Sequence, residues 1–198
     1  MTGVQTCALP IWKTGSVRSQ GVERGCGKRE AYELHYGTGE VSEIGFQING
    51  KKDGIIKTFY RTGELHMTIT CKKGKIDGPC KEYYESGELR RERLFKNGKL
   101  TGPYKAYYEN GTLLEEGFYK NGMREGEVRV YYPNEKLFAR CYFKNNEPEG
   151  DYTIYYDNGN IKEECSYKDG KFEGVATIYD REGNLIEEAF YKDGIRIK

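Results

Sequence analysis

Glycine recurs in this chain with a period of 24 residues, and this repeat limits the possible folds more than any other feature. A second glycine follows the first by four residues, and a third lies nine residues further on. The three series are Gly50, Gly74, Gly98, Gly122, Gly170 and Gly194; Gly54, Gly78, Gly102, Gly126, Gly150 and Gly174; and Gly63, Gly87, Gly111, Gly159 and Gly183. Only Asn146 and Glu135 interrupt them, and no insertion shifts the frame. A fixed period of this length indicates a repeat array.

Each unit contains two short aromatic-rich segments separated by turn residues. Pairs such as Asn121-Gly122 favour a type I′ hairpin turn, and triplets such as Glu85-Ser86-Gly87 favour a type I turn closed by a left-handed glycine and a bulge. The closely spaced glycines leave too few positions for a stable helix. The sequence therefore predicts an all-β fold, an elongated and twisted single-sheet antiparallel β-meander of about six hairpin repeats, with roughly 12–14 strands.

The second glycine of each unit, such as Gly126, is expected to allow either a bend or a close backbone approach. Aromatic residues fill equivalent positions, or columns, of successive repeats. The neighbours Tyr107 and Tyr108 exemplify two such columns, and adjacent side chains on a strand point to opposite faces. Both faces should therefore carry rings. We expect one face to be packed and the other to present a half-exposed aromatic ladder.

Charged residues also form columns. One column holds Lys57, Lys81, Lys105 and Arg129, and another holds Glu92, Glu116, Glu164 and Glu188 but is interrupted by Arg140. If the two columns lie on neighbouring strands, cross-strand ion pairs would give a solvated, salt-bridged face. The alternative interpretation is a charged stripe that docks a partner.

Catalytic, cofactor-binding and metal-binding residues are not predicted. The two histidines, His35 and His66, lie in unrelated columns, and pairs such as Glu115-Glu116 recur only because the unit recurs. Phosphate loops, nucleophile elbows and dinucleotide fingerprints are absent from the sequence. The net charge of +1, from 32 basic and 31 acidic residues, does not favour nucleic acid as a partner. We expect a protein that is not an enzyme and needs no cofactor.

Two of the six cysteines, Cys141 and Cys165, share a column. Equivalent positions two strands apart should lie roughly 10 Å from each other, which is too far for a disulfide. We interpret both as small buried residues. Unpaired thiols favour a reducing compartment, so a cytoplasmic location is expected.

The first 35 residues lack the repeat signature. Residues 1–12 resemble a translated sequencing-adaptor fragment, in which case the native N-terminus is missing; the alternative is a genuine disordered leader. Residues 13–35 are either a flexible lead-in or a worn repeat. We therefore divide the chain into a leader, residues 1–35, and a repeat domain, residues 36–198.

The unit from Tyr119 to Leu137 follows the pattern Tyr-Lys-Asn-Gly-x-x-x-Gly-x-x-x-x-Tyr-Tyr-x-x-Gly-x-Leu apart from Glu135. This pattern resembles the MORN-repeat variant, and arrays of it characterise bacterial proteins named YwqK-family antitoxins. The resemblance covers roughly residues 36–198. It implies a non-catalytic module that neutralises a partner protein, such as a toxin, by binding it. Related arrays also imply an alternative, a membrane-surface or cell-envelope scaffold that contacts lipid.

The candidate partner-binding surface combines one tyrosine column with a segment where the repeat is worn. The worn segment runs from Pro133 to Pro148: Pro133-Asn134-Glu135 replaces the x-x-Gly turn, and Asn145-Asn146-Glu147-Pro148 replaces the next hairpin turn. Within it, Arg140 reverses the charge of its column. The worn segment is either neutral drift or a local specificity surface. A monomer with an exposed Tyr and Arg surface suits recognition of a protein partner. The candidate residues are Tyr60, Tyr84, Tyr108, Tyr132, Tyr156, Pro133 and Arg140.

Overall fold

The structure, a computed structural model, describes residues 28–198, so the adaptor-like segment lies outside the described residues. The described residues form nineteen β-strands and no helix, and they therefore contain no helix that could cross a membrane. The strands are β1 Arg29–His35, β2 Val41–Ile48, β3 Lys51–Lys52, β4 Gly54–Phe59, β5 Leu65–Lys72, β6 Lys75–Tyr83, β7 Leu89–Lys96, β8 Lys99–Tyr107, β9 Leu113–Lys120, β10 Met123–Arg124, β11 Gly126–Tyr131, β12 Leu137–Lys144, β13 Glu147–Pro148, β14 Gly150–Tyr155, β15 Ile161–Lys168, β16 Lys171–Phe172, β17 Gly174–Tyr179, β18 Leu185–Lys192 and β19 Ile195–Arg196.

All strands belong to one open antiparallel sheet, in which strands that follow one another in the chain lie side by side. Four two-residue strands are each separated by a single residue from the longer strand that follows. Each short strand and the longer strand that follows it form one arm of the sheet. With β19 set aside, the number of arms lies within the predicted range of roughly 12–14 strands. The predicted β-meander is confirmed.

Both turn types have the predicted backbone conformation. Asn121 and Gly122 have φ angles of 54° and 90°, as a type I′ turn requires, and Gly111 closes the other turn with φ 83°. Where the glycine series is broken, the conformation is unchanged, since Glu135 adopts φ 64° and Asn146 adopts φ 73°. The worn segment thus alters the side chains of the turns without altering their backbone.

Gly126 shows the role of the second glycine. Its φ is 83°, and the preceding Glu125 donates its backbone N–H to the carbonyl of Phe118 at 3.0 Å, which forms a bulge between β10 and β11. A side chain at Gly126 would meet no atom within 4 Å. Of the two predicted roles, the backbone bend is therefore the one this glycine serves. At Gly78 of the same series a neighbour also approaches closely, because a Cβ atom there would lie 2.9 Å from the Thr70 side chain.

The sheet has one packed face and one open face. Cross-strand pairs such as Val128 with Cys141 and Ala176 with Ala189 place small and apolar side chains on the packed face. The open face carries the charged columns, because Lys81 lies opposite Glu92 on the neighbouring strand. The buried apolar residues are Ile56, Cys71, Cys80, Tyr104, Val128, Ala139, Cys141, Cys165 and Ala189. The core of residues 28–198 is therefore one layer of side chains on a single sheet.

Successive repeats are also joined at their turns. The backbone N–H of Gly122 donates to the carbonyl of Leu100 at 2.7 Å, one hairpin earlier. An acidic side chain at the bulge accepts a second bond from the next turn, as when Asn145 donates its N–H to Glu125 at 3.1 Å. Equivalent bonds run from Lys73 to Asp53, from Asp169 to Glu149 and from Asp193 to Glu173. The two-residue turns from Lys73-Gly74 to Asp193-Gly194 are thus each held by the repeat before them.

Strand β1 shows that the sheet begins before the recognisable repeat pattern. It pairs with β2 along its whole length. Tyr32 donates a hydrogen bond to Glu43 at 2.6 Å, as Tyr104 does to Glu115 at 2.5 Å three repeats later. Residues 29–35 therefore follow the geometry of a repeat arm.

Candidate protein-binding surface

The predicted tyrosine column forms a hydrogen-bonded ladder. Each hydroxyl donates to the backbone carbonyl of the residue 23 positions later, for example from Tyr108 to Tyr131 at 2.8 Å. The other rungs run from Tyr36 to Phe59, Tyr60 to Tyr83, Tyr84 to Tyr107, Tyr132 to Tyr155 and Tyr156 to Tyr179, at 2.5–2.9 Å. These accepting carbonyls lie where strands end, so the tyrosines replace missing strand-to-strand bonds.

The ladder tyrosines lie on the packed face and are half-buried. Tyr84, for example, lies two residues beyond the buried Glu82 and one beyond Tyr83, whose side chain points to the open face. The hydroxyls are engaged inside the molecule, so a partner could contact only ring edges. Binding by this column remains a prediction, whereas its part in joining the repeats is seen directly.

The neighbouring tyrosine column lies on the open face and contacts its charged column. Tyr131 donates to Glu116 at 2.9 Å, and Tyr179 donates to Glu164 at 3.0 Å. Burial, followed by the bond to Glu116, raises the pKa of the Tyr131 hydroxyl. These bonds hold the glutamates in place on the face that is exposed to solvent.

Tyr104 is the most buried ring of the packed face, and a glycine makes room for it. A Cβ atom at Gly117 would lie 2.8 Å from Tyr104 Cε1 and 3.0 Å from Val128 Cγ2. The Tyr104 hydroxyl reaches Glu115, which also pairs with Arg124 at 2.9 Å. Burial, followed by the bond to Glu115, raises the pKa of Tyr104 well above its usual range.

Sequence reasoning missed a buried charge cluster on the packed face. Glu82 is only 8% exposed and contacts three arginines, Arg90 at 3.1 Å, Arg93 at 3.0 Å and Arg91 at 3.7 Å. The equivalent positions in the next repeat hold alanine, leucine, glycine and glutamate. The sequence therefore did contain a signal for the cluster, because one acidic and three basic residues replace the residues of four columns in the same repeat. A carboxylate with three cationic partners satisfies the buried charge, so the cluster has a structural explanation.

The charged columns on the open face alternate across neighbouring strands, which confirms the cross-strand pairing. Lys81 contacts Glu92 at 2.9 Å, Lys105 contacts Glu116 at 3.7 Å, and Arg129 contacts Glu116 at 3.9 Å. Such exposed pairs contribute only about 0–1 kcal/mol each. They order the face more than they stabilise it.

Arg140 and Pro133 lie apart from the tyrosine ladder. Arg140 is on the open face of β12, directly opposite Arg129 of β11. Pro133 lies in the exposed turn after β11, where its carbonyl accepts a bond from Thr112 at 3.4 Å. The structure therefore does not gather the candidate residues into one patch: five lie on the packed face, one on the open face and one in a turn.

The open face also exposes large apolar side chains. Phe118 is 45% exposed and Tyr142 is 36% exposed, on strands that flank Arg129. Shallow depressions on this face are lined by Pro79, Leu94, Pro103, Phe118 and the aliphatic stems of the charged row. A face that combines aromatic, aliphatic and arginine side chains has the composition of a protein-recognition surface.

The cysteines of the described residues are free and buried. They are Cys71, Cys80, Cys141 and Cys165. Burial raises the pKa of each thiol, and that of Cys165 reaches about 11. Their predicted packing role is confirmed for Cys141 and Cys165. Within residues 28–198, His, Cys, Asp and Glu form no cluster that could hold a metal ion.

A single sheet of equal hairpin units, joined by a tyrosine ladder and by turn-to-turn bonds, defines a β-hairpin repeat protein. The MORN repeat variant matches five units, residues 76–97, 100–121, 124–145, 148–169 and 172–193, which cover more than half of the chain. The chain belongs to the MORN repeat variant family. This kind of repeat module is often involved in binding. A comparison with curated proteins finds no match to the chain.

Proposed function

We propose that this protein is a non-catalytic module that binds a partner protein through the open face of its sheet and neutralises it in the manner of an antitoxin. The observation that carries the proposal is the open face itself. It exposes Phe118 and Tyr142 beside an ordered row of charges, and it is covered by no other part of residues 28–198.

The open face is preorganised for binding. The strands that carry the open-face side chains pair with a neighbouring strand on each side. Hydrogen bonds between tyrosine and glutamate fix side chains on this face. Such a surface loses little conformational entropy when a partner docks. Exposed aromatic and arginine side chains supply most of the energy in interfaces of this kind.

Capture from a lysate of the source cells tests the binding part of the proposal. Immobilised wild-type protein is compared with Phe118→Asp, which places a charge on the open face, and with Met123→Asp as a matched control. Met123 is similarly exposed, at 40%, but lies in β10 beside a hairpin turn. A captured protein that is lost with Phe118→Asp and retained with Met123→Asp supports the proposal. Equal capture by both variants contradicts it.

Two further measurements separate the finer parts of the proposal. Expression of the captured protein should slow bacterial growth, and co-expression of this chain should restore it. A captured protein without effect on growth would leave a binding module that is not an antitoxin. Co-sedimentation with anionic vesicles in place of protein capture would favour the alternative of a membrane-surface scaffold.

A further inference from the structure

In the charged row of the open face, two like charges lie opposite each other at Arg129 and Arg140. Along the row, lysine or arginine faces glutamate on the next strand as far as Glu116 and Arg129. Arg140 then lies directly opposite Arg129 on one side and Thr153 on the other. Like charges placed opposite each other on neighbouring strands are destabilising.

The Arg140 guanidinium has no partner of its own among residues 28–198. It makes no ion pair there, and its Nε atom is buried without a hydrogen bond. The nearby carboxylates are already engaged, since Glu127 contacts Arg129 at 2.5 Å and Glu116 accepts from Tyr131. Leaving a buried donor unsatisfied is costly. Positions that break a local rule in this way tend to be functional.

Beyond Arg140, the row changes sign. Glu164 and Glu188 keep the acidic column, but the positions that hold lysine or arginine earlier are taken by Thr153 and Thr177. Neither glutamate has an ion pair within the described part of the chain; Glu164 only accepts a bond from Tyr179. Among residues 28–198, the open face therefore carries an uncompensated cation at Arg140, next to the paired Arg129, and uncompensated carboxylates toward the C-terminal strands.

This dipolar row, together with the exposed Phe118 and Tyr142, defines the chemistry that fits it. We propose that the Arg129–Arg140 pair receives an acidic side chain of the partner protein, while a basic side chain of the same partner lies near Glu164. Arg140 and Glu164 are two strands apart, so the two partner groups would be about 10 Å apart. This inference rests on the proposed function and specifies the chemistry of the partner.

A polyanion does not fit the same row. A nucleic-acid strand or an anionic membrane that met Arg140 would also meet Glu164 and Glu188, whose carboxylates would repel it. A carboxylate, by contrast, can accept paired N–H groups from arginine in a fixed geometry. A protein segment with opposite charges at the stated separation satisfies both ends of the row.

Arg140→Glu is the decisive variant, because it restores the residue type of four other repeats. The new carboxylate would lie opposite Arg129, so the variant should fold at least as stably as the wild type. A random-peptide phage library selected on the full wild-type chain is the probe. Selected peptides should carry an acidic and a basic residue, and should bind Arg140→Glu about ten-fold more weakly or worse. Lys57→Glu, an exposed cation of the same face distant from the site, should bind them unchanged.

The outcomes separate this inference from the proposed function. Peptides that bind Arg140→Glu as well as wild type, or that lack acidic residues, would overturn the acidic-partner inference while leaving a protein-binding surface. Absence of any enrichment over uncoated beads would count against both. Loss of binding with Arg140→Glu, together with an unchanged or raised melting temperature, supports the inference.

Discussion

The tyrosine ladder predicts that one hydroxyl in this protein is worth a measurable part of its stability. Tyr108→Phe removes only the oxygen that donates to the Tyr131 carbonyl at 2.8 Å and leaves the ring in place. A net hydrogen bond contributes about 1 kcal/mol, and the carbonyl left behind is only half-buried, so water can partly replace the donor. We therefore expect the free energy of unfolding to fall by about 1 kcal/mol.

Urea unfolding followed by far-ultraviolet circular dichroism measures this change. For a chain of this size, 1 kcal/mol corresponds to a fall of roughly 2–4 °C in melting temperature. Tyr83→Phe is the matched control, because its hydroxyl makes no hydrogen bond within residues 28–198 and its backbone carbonyl stays available to Tyr60. Its free energy of unfolding should change by less than about 0.5 kcal/mol.

Comparison of the two variants also decides what the ladder does. Equal midpoints for Tyr108→Phe and Tyr83→Phe, with unchanged m-values, would refute the reasoning that these hydroxyls join the repeats. Tyr108→Ala should cost about 1–2 kcal/mol more than Tyr108→Phe, because it also exposes the surface on which the half-buried ring packs. A loss of partner capture with Tyr108→Phe at full stability would instead favour a binding role for this column.

Three further results are expected from urea midpoints. Glu135→Gly should raise stability by about 0.5–1 kcal/mol, because the positive φ of 64° at this position is strained for glutamate but not for glycine. An unchanged midpoint would show that this turn is unstrained. Gly117→Val should lower it by about 1–3 kcal/mol through its clash with Tyr104, whereas a neutral result would mean that the ring can move aside. The pKa values of Cys165 and Tyr167 are raised to about 11 and about 12, chiefly by burial, so the folded state favours their neutral forms. Stability should therefore be full below about pH 9 and fall as the pH rises through 11 and 12, and a flat profile would contradict this.

The period alone was enough to predict the architecture. Glycine and Asn-Gly spacing has a direct backbone meaning, because positive φ at consecutive residues specifies a hairpin turn. The turns at Asn121-Gly122 and Gly111 follow this rule in the structure. The positive φ of Glu135 was also predictable, because Glu135 occupies the position that holds the turn glycine in the other repeats.

The roles of individual side chains were less predictable. A column of identical tyrosines looks the same in sequence whether its hydroxyls face solvent or a backbone carbonyl 23 residues away, and Tyr108 proved to do the latter. The cluster around Glu82 needed four columns to be compared at once. Arg140 was identified from its column, but its lack of an ion pair depends on cross-strand register, which only the structure supplies.

The bonds that join one turn to the previous hairpin have a consequence for how this protein can change its length. Gly122 is tied to Leu100, and Tyr108 to Tyr131, so each link spans less than one period. A deletion or duplication of one whole 24-residue unit would rejoin equivalent donors and acceptors, whereas removal of a partial unit would break them. Genetic recombination between repeats could therefore lengthen or shorten the array without disturbing the remaining units, and could alter the partner surface one repeat at a time.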